Sequence, residues 1–91
     1  MIPENEKQSL FLQLIFQHQQ LAMMGMGQME NPMSNAKEVN LEYAKVAIDT
    51  IEVLKEKTKG NLSEYEEKFL ESILSQVQVK FVEVSNNAPK S

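Results

Sequence analysis

The chain has 91 residues, no cysteine, and thirteen acidic against nine basic residues, for a net charge of −4. That length bounds it to one domain with a modest core, and the absence of cysteine excludes disulfides and thiolate metal sites. Every basic residue is lysine, so arginine's phosphate-gripping fork and a basic face are both missing, and direct contact with nucleic acid is not expected.

Helix one is predicted from Asn5, with Gln8 as its capping-box partner, to about Met24. The first residues carry Glu4 and Glu6 rather than a basic start. Phe11, Leu14, Ile15, His18, Leu21 and Ala22 fall on one stripe of 3.6-residue period. Leu10, Leu12 and Phe16 point elsewhere, and six of the seven residues from 10 to 16 are apolar. A helix apolar around most of its circumference must be covered on several sides. Two neighbouring helices cannot do that, so Leu10, Leu12 and Phe16 are expected at an interface between copies of the chain. His18, the only histidine, is read as a hydrogen-bonded interior or interface residue, since it has no second histidine or cysteine to share a metal.

Residues Gly25 to Val39 show no strong periodicity, and a loop that long means function, disorder or hidden structure. Met23, Met24, Met26, Met29 and Met33 fall within eleven residues, from the end of helix one into this loop. They are read first as gap-fillers where the loop folds back, then as an adaptable surface for a partner, with Met26 and Met29 as the candidate contacts. A Cu(I) site of thioethers is the third reading. Gly25-Met26-Gly27 lacks the preceding strand and third glycine of a phosphate loop.

Helix two is predicted from Asn40 to about Lys59, with Leu41, Ala44, Ala47, Ile48, Ile51 and Leu54 inward. Lys45, Asp49, Glu52 and Glu56 form its polar face. Aspartate is a poor mid-helix residue, so Asp49 is expected to pair with Lys45 or to accept a bond from the following junction. A catalytic carboxylate would need a partner in a cleft, and Glu52 and Glu56 qualify by spacing alone.

The run Glu56-Lys57-Thr58-Lys59-Gly60-Asn61-Leu62-Ser63 ends one helix and starts the next. Lys55, Lys57 and Lys59 suit the negative end of a helix dipole, and Gly60 and Asn61 suit left-handed geometry. Ser63 with Glu66 fits the capping box, whereas Leu62 faces Glu67 and lacks a hydrophobic staple partner. Helix three should run from Glu64 to about Val82, burying Phe69, Leu70, Ile73, Leu74, Val77 and Phe81. Val77 to Phe81 also alternates as a strand would, but no partner strand is evident. Residues 1–4 and 85–91 read as loose tails.

Gly27, Asn31-Pro32, Leu41, Ala44-Lys45, Ile48-Asp49, Leu54, the octapeptide 56–63 and Phe81-Val82 together resemble a small bacterial domain-of-unknown-function family, number eighteen forty-four. The resemblance runs from about Phe11 to Val82. Family members have a Thr-Gly-like turn after the Asn-Pro, where this chain has Ser34-Asn35. It implies a short, cytosolic, mainly helical protein and carries over no catalytic residue. It also puts ordinary aliphatic residues at several of the methionine positions, which counts against copper. Asp49, Lys57, Gly60, Asn61 and Ser63 become its structural signature.

The expectation is an all-α protein of three helices. Helices two and three form an antiparallel hairpin, and helix one is packed in a dimer or higher oligomer. No apolar run reaches the ~20 residues of a membrane span, and a cytoplasmic, non-enzymatic interaction module without cofactor or metal is expected. It would act through homo-oligomerisation and contact with an unknown protein partner. The alternative is a helical module binding an apolar small molecule or lipid, with helix one and the methionines lining its pocket.

Overall fold

The computed structural model describes residues 1–87 and contains three helices, α1 (Glu4–Gly25), α2 (Leu41–Lys57) and α3 (Glu64–Asn87). All three pack against one another. The amide of Asn40 donates to the carbonyl of Gly25 at 2.7 Å, so the end of α1 meets the start of α2 and the two run antiparallel. Ser63 Oγ donates to Gln8 Oε1 at 3.2 Å and Gln19 Nε2 to Gln76 Oε1 at 3.4 Å, which sets α3 parallel to α1. The result is an up-down-up bundle in which α2 and α3 form the expected antiparallel hairpin.

One core runs down the middle. Ile15 and Ala22 come from α1, Ala44, Ala47, Ile48 and Ile51 from α2, and Leu70, Ile73, Leu74 and Val77 from α3. Burying each large aliphatic side chain contributes about 1.5–3 kcal/mol. Small residues set the α1–α2 spacing. A Cβ on Gly25 would lie 2.7 Å from the amide nitrogen of Ala44 and 2.9 Å from its Cα and Cβ.

The start of α1 departs from the expected capping box at Asn5. The helix begins one residue earlier, with Pro3 as N-cap and no side-chain cap. Proline's fixed φ, here −59°, already presents its carbonyl to the first turn, where the amides of Glu6 and Lys7 donate to it at 3.1 and 3.0 Å. Gln8 is thereby free to reach the junction before α3.

Between α1 and α2 the chain holds hidden structure. Isolated antiparallel bridges link Met26 with Val39 and Asn31 with Ala36. Asn31 organises the tip, its side chain accepting from the amide of Met33 and its carbonyl from those of Ser34 and Asn35. Asn35 takes a positive φ of 54°, so asparagine does hold the turn at that position.

The α2–α3 junction follows its local chemistry. Gly60 has φ +86° and supplies the left-handed step. Asn61 is not left-handed among the described residues and instead donates its amide to Thr58 at 2.9 Å. Both halves of the capping box form: Ser63 N–H to Glu66 Oε1 at 2.7 Å, and Glu66 N–H to Ser63 Oγ at 3.2 Å. Leu62, without a staple, packs against the core.

Helix α3 continues past Val82 to Asn87, so Ser85 to Asn87, expected in a loose tail, are helical. Val84 packs against the core, next to the Met26–Gly27 corner of the loop, and that contact favours the extra turn. The rest of the expected tail, 88–91, lies outside the described residues.

Candidate functional site

The residues expected at an interface do not form one patch. Leu10 and Phe16 are 54% and 49% exposed, as a helix with surplus apolar surface requires. They lie on opposite flanks of α1. Leu12 and Phe16 line an open groove with Tyr65 and Phe69 of α3, rimmed by uncharged Gln8, Ser9 and Gln13. Leu10 points to the other side, along with Leu14, which stands partly exposed despite its place on the expected inward stripe.

The methionines divide in the same way. Met26 is 1% exposed and belongs to the core, which removes it from any contact surface. It sits just past the end of α1 with its amide bonded to Ala22 O, so its side chain is folded under the loop that bridges back at Val39. Met29 is at the surface and Met33, at the loop tip, is 92% exposed. Met24 and Met33 border an open groove with Asn31, Pro32 and Tyr43.

The charged candidates sit on solvated faces. Lys45 Nζ lies 2.7 Å from Asp49 Oδ2, the pairing expected one turn apart. The hydrogen bond to Asp49, and then its charge, hold Lys45 above the ordinary lysine value of 10.5. Both side chains are more than half exposed, so this ion pair orders the face of α2 with little energy. Glu52 and Glu56 instead border the groove between α2 and α3, opposite Glu67 and Glu71 and beside Lys55 and Lys59. No group of three metal-ligating side chains occurs among the described residues. His18 is half-buried, with Nδ1 2.9 Å from the carbonyl of Leu14 in its own helix; Nδ1–H is the donor. Lys57, Gly60, Asn61 and Ser63 are all exposed at the α2–α3 junction.

Unlike that groove of alternating charge, the groove between α1 and α3 is lined by apolar, amide and hydroxyl side chains. The profile of the family described as a domain of unknown function, DUF1844, matches residues 8–83. The chain belongs to the DUF1844 family. The matched span takes in most of α1, the bridged loop, all of α2 and α3 through Glu83. No curated protein and no solved structure gives a match. No helix among the described residues of this DUF1844 chain is long and apolar enough to cross a membrane.

Tyr43, Val46 and Val53 stand exposed on α2, outside the stripe that identified its inward face. From Gln8 to Met29 the chain contains no Asp, Glu, Lys or Arg. That charge-free run, in a chain that is 24% charged, was the available signal, because interface centres are depleted of charge.

Proposed function

We propose that the protein is a non-enzymatic helical module that works by self-association and protein contact, with α1 as the shared element. The observation that carries this reading is the exposure of Leu10, Leu14 and Phe16 on α1, where the other exposed positions from Ser9 to Gln17 are glutamine and serine. Ion pairs lie on α2 and α3, as Lys45–Asp49, Lys68–Glu64 and Lys80–Glu83, whereas the pair on α1, Lys7–Glu4, is confined to its first turn. Burial of α1's apolar flanks against another chain would gain roughly 25 cal/mol per Å², less the cost of association.

Sedimentation equilibrium of the full chain at micromolar concentration tests the reading. A mass at or above twice that of the chain is the expected result. A folded monomer at all concentrations up to several hundred micromolar contradicts it. The groove between α2 and α3 is lined mainly by charged side chains, and the one that Met24 and Met33 border is open and shared with Asn31, Glu38 and Asn40, which supports contact with a partner chain over an enclosed apolar ligand.

A further inference from the structure

We infer that the α1–α2 face is the self-association surface and that its occupant is the same face of a second copy, two helix pairs closing into a four-helix arrangement. This rests on the reading that the protein self-associates, and adds where and against what. Leu10, Leu14, Gln17, Leu21 and Met24 are spaced four, three, four and three residues apart, which is the 3.5-residue period of a helix seam that meets another helix. On α2, exposed Tyr43, Val46 and Val53 with half-buried Thr50 repeat the pattern, spaced three, four and three apart. Val46 and Val53 are 65% and 50% exposed.

The two seams belong to one face. On α1 the seam lies on the side of the core direction away from the α3 groove of Leu12 and Phe16. On α2 it lies on the side away from Glu52, Lys55 and Glu56, which line the α3 groove there. At about 100° per residue, both seams therefore project outward from the α1–α2 pair in nearly the same direction. Their heights agree as well. The antiparallel register, fixed where Gly25 meets Asn40 and Ala44, levels Leu14 with Val53, Gln17 with Thr50, Leu21 with Val46 and Met24 with Tyr43. The last pair lines a common groove.

Three arguments select a second copy as the partner. Seam positions from Leu10 to Met24 and from Tyr43 to Val53 carry no charge, and Lys57, level with Leu10, and Glu38, at the Met24–Tyr43 groove, stand only at the two ends, so the centres of identical faces meet without like-charge apposition. The polar layer is self-complementary. An amide such as that of Gln17 both donates and accepts, and Thr50 already satisfies its hydroxyl on Val46 O at 2.7 Å. A two-fold axis through that layer sets Gln17 on Gln17 with apolar layers on both sides, the use to which single polar seam positions are put in fixing register. The size fits a weak dimer. Leu10 to Met24 rises about 21 Å and two adjacent helices are about 20 Å across, a footprint on the order of 400 Å² per copy. Weak and transient interfaces bury less than about 1,200 Å² in total.

The test is sedimentation equilibrium on the full-length chain, with circular dichroism confirming the fold of each variant. Leu10→Glu with Val46→Glu places charge on exposed positions of both seams, and it should raise the dimer dissociation constant at least a hundredfold while leaving helicity unchanged. Tyr65→Glu, in the other groove, should leave the constant within threefold of wild type. Should the double variant lose helicity, Val46→Glu alone replaces it, with at least a tenfold rise expected. A wild-type dimer that survives these seam substitutions, or one that Tyr65→Glu dissociates, overturns this face while self-association stands. A wild-type monomer overturns both.

Discussion

Gly25→Ala should destabilise the protein by about 2 kcal/mol, although alanine is the better helix former. The glycines with positive φ are Gly27 and Gly60, so the backbone at Gly25 suits any residue, and alanine there would gain up to about 1 kcal/mol from propensity. The opposing term is steric. The added methyl would sit 2.7 Å from the amide nitrogen of Ala44 and 2.9 Å from its Cα and Cβ. Two of those atoms are backbone in the first turn of α2 and cannot swing aside. The helices must part, at a cost near the upper end of the ~1–3 kcal/mol typical of overpacking, and the 2.7 Å bond from Asn40 to Gly25 O weakens with them. The net loss of about 2 kcal/mol corresponds to a fall in Tm of about 8–16 °C for a domain this size. Urea unfolding followed by circular dichroism measures it. Ala44→Gly in the Gly25→Ala background should restore little, because the methyl still collides with the backbone of residue 44. A Gly25→Ala protein as stable as wild type refutes the close-approach account.

Three further expectations concern the junction, the methionines and the ion pair. Ser63→Ala removes the acceptor for Glu66 N–H and the donor to Gln8, and should cost about 1 kcal/mol; an unchanged urea midpoint would show the cap to be idle. Met26→Ala should cost about 2–4 kcal/mol because the side chain is buried, whereas Met33→Ser should stay within about 0.5 kcal/mol of wild type. Equal effects in thermal melts would contradict the division of the methionines. Asp49 raises the folded-state value of Lys45 above 10.5, so the pair's stabilisation is complete below that pH and disappears as pH climbs through the folded value. The urea midpoints of wild type and Lys45→Met should therefore differ at neutral pH and converge well above pH 10.5; a constant gap would assign the effect to packing of the lysine stem.

Local chemistry determined much of this protein from the sequence. The capping box at Ser63 and Glu66, the left-handed Gly60, the Lys45–Asp49 pair and the inward stripes of α2 and α3 all depend on residues within four positions of one another. Interactions of that range are set by helix and turn geometry whatever the rest of the chain does. The surplus apolar surface of α1 was legible for the same reason, since circumference is a property of one helix. Tertiary structure decided the rest. Only the packing of three helices assigns Leu10 and Phe16 to opposite flanks, draws Met26 into the core while leaving Met33 in solvent, and diverts Gln8 from its own helix start to Ser63. Only the antiparallel register sets the exposed residues of α2 beside those of α1. Which side of a helix is left uncovered depends on where its neighbours sit, and spacing along a single segment does not contain that information.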